Sequence, residues 1–209
     1  MMQQHLDNLV FWIEDHSSKI IGNIEQESID VYNFLKQQFY TTDVTKNYVF
    51  QFTYRSFYRL DNGGLSPQLK TEYFKILEEN RDAIELDFNS VLQRLFLIPN
   101  RKGQHTFQFS FVTKMFNTIN DSIPIYDSEV ARAFSFPSSY QRGFEKKIIK
   151  HLEKFQQIQK AYKYILDAGL LSKTFNSFDE NFKDNHLSEI KKLDFIFWSA
   201  GKIKKLLQI

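Results

Sequence analysis

Cysteine is absent from the 209 residues, and glycine and proline are scarce, with seven and four copies. The first absence excludes disulfides and thiolate metal sites and fits a reducing compartment. The second leaves few places to turn, so long regular elements are expected. No apolar run approaches the roughly 20 residues that cross a bilayer. The first residues, with Gln3, Gln4, Asp7 and Glu14, do not read as a signal peptide. A soluble cytoplasmic protein without membrane contact is the expectation. His5, His16, His105, His151 and His186 lack the i, i+4 pairing of a helical zinc site, so neither a metal nor a cofactor is expected. A nucleophile elbow, a phosphate-binding glycine loop and a dinucleotide fingerprint are all missing too.

What the chain has instead is rings: 22 Phe and ten Tyr within an apolar content of 42%, enough for a substantial core. Helical spacing recurs in Leu6, Leu9, Val10 and Ile13, in Val31, Phe34 and Leu35, in Tyr73, Phe74, Ile76 and Leu77, and in Val91, Leu92, Leu95 and Phe96. Residues 48–58 mix alternation (Tyr48, Phe50, Phe52, Tyr54) with a helical triplet (Tyr54, Phe57, Tyr58). With no partner strand evident, helix is the reading. A long helix is expected from about Gln141 to Asp167 with Gly169 as its stop, and a last one capped by Ser188 and ended by Gly201. The fold class is therefore all-α. The turn Asp61-Asn62-Gly63-Gly64 divides the chain into a lobe of residues 1–64 and a lobe of 65–209, with a cleft expected between them.

Charge is segregated beneath a net of +2. Residues 1–99 carry 9 Lys and Arg against 14 Asp and Glu, and residues 100–209 carry 18 against 11. A basic half can attract phosphates, although Lys146, Lys147, Lys150, Lys154, Lys160 and Lys163 also suit the solvated face of one long helix.

The richest stretch is Ile123-Pro124-Ile125-Tyr126-Asp127-Ser128-Glu129-Val130. Proline fixes the approach, Ile125 and Tyr126 can anchor it, and Asp127 stands at the N-cap of a short helical run. A structural cap is the common use of such an aspartate. Upstream lies a helix bearing Lys114 among Phe107, Phe111, Met115 and Phe116, reached through the basic loop Asn100-Arg101-Lys102-Gly103-Gln104-His105. Helix, basic glycine-containing loop and helix form a hairpin suited to gripping a phosphate.

Phe111-Val112-Thr113-Lys114-Met115-Phe116 together with Ile123-Pro124-Ile125-Tyr126-Asp127-Ser128-Glu129-Val130-Ala131-Arg132 resembles the core of the helix-hairpin-helix DNA glycosylases, in particular the divergent branch similar to 8-oxoguanine glycosylases. The resemblance covers about residues 88–135. It departs from the family pattern in two places. Only 13 positions separate Lys114 from Asp127, shorter than the family's interval, and the Gly-x-Gly hairpin core is reduced to Gly103.

The resemblance implies a base-excision enzyme that flips a modified base and cleaves its N-glycosidic bond. Asp127 would be its catalytic carboxylate, and Lys114 its amine in a bifunctional version. Arg101, Lys102, Gly103, His105, Arg132 and Arg142 would be its DNA contacts. Asp127 is then expected partly exposed at the floor of a cleft rimmed by positive charge. Two further readings stay open: a helical DNA-binding module that has lost the chemistry, and a protein-binding helical domain.

Overall fold

The computed structural model describes residues 2–137 and 142–208. Among them every regular element is helical and no strand occurs. Helices α1 (Met2–Asp15), α2 (Ser17–Gly22) and α3 (Gln26–Thr41) open the chain. Then come α4 (Tyr48–Phe57), a 3₁₀ turn (Leu60–Gly63), α5 (Pro67–Glu79), α6 (Phe88–Phe96), α7 (Phe109–Ile119) and α8 (Ser128–Ala133). Helices α9 (Phe144–Asp167), α10 (Ser172–Asn181) and α11 (Glu189–Leu207) follow. No helix among the described residues is long and apolar enough to cross a membrane.

The local causes of these helices are visible in their caps. Asn47 Oδ1 accepts the Phe50 N–H at 2.9 Å, which starts α4 and turns Phe50 and Tyr54 inward while Tyr48 and Phe52 face solvent. Helix α5 begins with Ser66 accepting the Leu69 N–H and Pro67 in the first turn, where its fixed φ suits the helix. Helix α3 buries Ile29, Tyr32, Leu35 and Phe39. Phe34, assigned to the inner face from the sequence, lies at the exposed edge of that stripe. The expected start of the long helix at Gln141 lies outside the described residues, and the described part of α9 begins at Phe144. Most of its lysines face solvent, but Lys154 is buried and its ammonium donates to the Pro137 carbonyl at 2.8 Å.

Glycine 201 does not end the last helix, which continues six residues further to Leu207. Most of the middle of α11 is buried, from Leu193 to Phe197 and from Ser199 to Gly201, as befits a helix with neighbours on most sides. Buried side chains from Leu9 to Ile203 form one cluster that runs across Gly64. Polar bonds cross there as well: the Tyr54 hydroxyl meets that of Tyr73 at 3.0 Å and Thr118 Oγ1 at 3.2 Å, and Asn23 donates to Ser199 Oγ at 3.0 Å. These ties set the N-terminal elements against α7 and α11 and leave a recess where they meet.

Candidate functional site

The extended segment Ile123 to Tyr126 has backbone groups that no helix satisfies, so neighbouring side chains must do it. Asn117, on α7, donates to the Ile123 carbonyl at 2.8 Å, and Thr113 Oγ1 lies 3.1 Å from both the N–H and the carbonyl oxygen of Tyr126. From α11, Asp194 Oδ1 accepts the Ile125 N–H at 2.9 Å. Held from two sides, the segment delivers Asp127 to the first turn of α8, where Oδ1 accepts the N–H groups of Glu129 and Val130 at 3.0 Å each. The cap expected from the sequence is present.

The other oxygen of Asp127 is available to the recess. Its Oδ2 lies 3.9 Å from Lys114 Nζ, with 12% of the Lys114 side chain and 16% of the Asp127 side chain exposed. Burial pulls the Lys114 amine below its ordinary value of 10.5, the Asp127 carboxylate pulls it back up, and the Arg59 guanidinium pushes it down again. The net direction is down.

Both residues line a recess of about 600 Å³. Its aromatic walls include Phe57, Phe111 and Trp198, and at its floor sits a buried ion pair, Lys191 with Asp194 at 3.7 Å. Lys191 also donates to Asn117 Oδ1 at 3.0 Å and lies 4.4 Å from the centre of the Tyr32 ring. Burial drives the two partners' titrations toward each other, the lysine downward and the aspartate upward, while each holds the other charged. Sequence reasoning missed this pair because two charges three apart on a helix look like solvated neighbours. The available signal was the position of Asp194 inside the apolar run Leu193-Asp194-Phe195-Ile196-Phe197, with Lys191 one turn before it.

The lip differs from the expectation of a positive rim. Besides Arg59 and Lys202, it carries Glu25, Glu27 and Glu129. Arg132 is ion-paired with Glu129, which compensates that carboxylate from outside the recess. Lys202 lies over the Trp198 ring at 4.3 Å.

The structure brings Lys114 and Asp127 together but places the expected DNA contacts elsewhere. Neither Arg101, Lys102, Gly103, His105, Arg132 nor Arg142 lines the recess. In the loop, Asn100 Oδ1 accepts the N–H groups of Lys102 and Gln104, the Asn100 carbonyl accepts that of Gly103, and the Gly64 carbonyl accepts that of Arg101. Arg101 Nε donates to the Leu65 carbonyl at 3.1 Å, and His105 Nδ1 donates to that of Phe96 at 2.7 Å. The loop's backbone donors from 101 to 104 are thus engaged internally, and α7 begins only at Phe109. Lys102 and Arg142 are exposed.

Among the described residues no cluster of three or more His, Asp or Glu side chains could hold a metal ion. No family model, curated protein or solved structure matches this chain.

Proposed function

We propose that the recess is a glycosylase-like site that takes a nucleotide displaced from its stack and cleaves its N-glycosidic bond. A single observation carries this reading: an amine depressed by burial, Lys114, stands 3.9 Å from the carboxylate of Asp127 inside a cavity of nucleotide size. As the base departs with the bonding electron pair, positive charge builds on the sugar, and the Asp127 carboxylate in a partly dry site stabilises that charge. The neutral Lys114 amine attacks the anomeric carbon, and loss of its proton and ring opening leave a Schiff base. Phe57, Phe111 and Trp198 offer flat faces against which a base can stack.

Borohydride trapping on oligonucleotides carrying different base lesions tests this. A covalent adduct with the parent protein that vanishes in Lys114→Gln supports it, whereas an adduct that survives Lys114→Gln shows that another amine reacts. Base release without adduct reduces the role of Lys114 and leaves Asp127 as the working group. Absence of both release and adduct, from oligonucleotides and free nucleosides alike, ends the enzymatic reading.

A second reading, a binding module without chemistry, is favoured by a specific observation: Asp127 Oδ1 is fully occupied by two cap bonds, so only Oδ2 faces the recess.

A further inference from the structure

We infer that the recess admits a free nucleoside or nucleoside monophosphate, or one at a strand end, and rejects a base presented from within a duplex. The inference rests on the glycosidic reading of the same site and narrows its substrate.

Charge at the lip decides which substrates can enter. Nine ionisable side chains line the recess: Glu25, Glu27, Asp127, Glu129 and Asp194 against Arg59, Lys114, Lys191 and Lys202. Lys114 faces Asp127, so the two add no net positive charge whether or not the amine holds its proton; Lys191 is matched by Asp194, and Glu129 by Arg132 from outside. Among the described residues, Glu25, Glu27, Arg59 and Lys202 form no ion pair, and these four sum to zero. A duplex carries about one negative charge per 1.7 Å of its axis, so a base flipped into such a recess brings several phosphates onto the lip. Two exposed glutamates there repel them, and two cations do no more than cancel the glutamates. The cations that would receive a backbone, Arg101, Lys102 and Arg142, are not on this lip.

A single nucleotide makes no such demand. Its base needs the flat faces of Phe57, Phe111 and Trp198, and at most one phosphate needs a cation, for which Arg59 and Lys202 suffice. The cavity volume falls within the range of small-molecule sites, about 300–1,000 Å³.

The test is binding by calorimetry, with base release followed in parallel, on the full chain. The probes are the common ribo- and deoxyribonucleosides with 8-oxo-deoxyguanosine, their 5′-monophosphates, and a short duplex carrying the same lesions. The expected result is saturable nucleoside binding that does not respond to salt, and monophosphate binding with a logarithmic salt slope no steeper than about −1, against duplex slopes near −0.9 per phosphate engaged. Duplex binding at this site should be at least about tenfold weaker, and Glu25→Gln/Glu27→Gln should strengthen it most at low salt.

Base release from the duplex alone, with a steep salt slope, overturns the inference and leaves the glycosidic reading standing. Nucleosides bound but never cleaved, with no adduct, support the inference and end the cleavage reading. If no probe binds or is cleaved, both fall.

Discussion

A Cβ built on Gly201 would overlap the carbonyl oxygen of Glu129, so α11 and α8 meet backbone to backbone at that point. The contact sets the depth at which α8, and with it Asp127, lies against the centre of the fold. It also explains why a glycine is tolerated, at a cost of about 1 kcal/mol in helix propensity, inside a buried helix.

Gly201→Ala should therefore destabilise the protein although alanine is the better helix former. The obstacle is backbone rather than a flexible side-chain tip, so strain of about 1–3 kcal/mol is expected. Urea unfolding checks this, with Gly22→Ala as the control. Nothing lies within 4 Å of a Cβ at that helical position, so the control should be neutral or slightly stabilised.

Substitutions at Asp127 should separate the cap from the charge. Asparagine keeps an oxygen for the Glu129 and Val130 N–H groups, so Asp127→Asn should unfold within a few tenths of a kcal/mol of the parent. Asp127→Ala loses those bonds and should lose about 0.5–2 kcal/mol. Both remove the negative charge beside Lys114, and both should abolish base release if the glycosidic reading holds. Equal activity of Asp127→Asn and the parent would assign the residue to capping alone.

How far these features were legible in the sequence depended on whether their cause is local. The helix at Tyr48–Phe57 could be read because the triplet Tyr54, Phe57, Tyr58 acts within a few residues and no partner strand was in sight, while the Asn47 cap that starts it went unread. Asp127 as a cap followed from a proline-fixed approach onto a short helix, whereas the spacing of Lys114 also suited an exposed helix position, and its approach to Asp127 depends on how two helices pack. Helix α10 escaped notice because it starts after Leu171 in a left-handed conformation, φ 61°, with no capping side chain to announce it. The role of Gly201 escaped because the carbonyl it accommodates is 72 positions away in sequence, and a glycine near a chain end reads as a stop. The mixed charge of the lip was invisible for a similar reason. Counting charge by halves assigns Glu25 and Glu27 to the acidic half, yet folding sets them over the same recess as Lys114 and Lys202.

The buried pair behind Asp127 should behave as a unit. Asp194→Ala strands Lys191 in an interior where only 3% of its side chain is exposed, and removing one member of such a pair costs about 3–5 kcal/mol. Lys191→Met/Asp194→Leu removes both charges and should cost clearly less than the sum of the single substitutions, a coupling that a double-mutant cycle in urea measures. It still leaves the Ile125 N–H without its acceptor, so the double variant should not reach parent stability. Additive losses would show that the two charges are independent and that the 3.7 Å approach contributes nothing.

His151 supplies the pH dependence. Its ring sits among Phe107, Phe109 and Tyr126, with centroids 4.9 to 5.7 Å apart, and its Nδ1 donates to the Lys147 carbonyl at 2.8 Å. Burial lowers its titration below the ordinary 6.5, the bond to Lys147 opposes that shift, and Lys154 and Lys147 add repulsion of the charged form. In the unfolded chain the ring therefore gains its proton at a higher pH than in the folded one. Between the two values the unfolded state binds more protons, and stability falls as pH decreases. The contribution is present in full above 6.5 and is lost progressively as pH drops toward the folded value. Melting temperature measured from pH 7.5 downward should decline across that window in the parent, and His151→Phe, which keeps a ring in the cluster but cannot titrate, should remove that part of the slope. Asp194, whose carboxyl burial pushes upward, acts with the opposite sign as pH falls, so the comparison of the two proteins isolates the ring: a parent that gains stability relative to His151→Phe as pH falls through 6.5 would reverse the assigned cause.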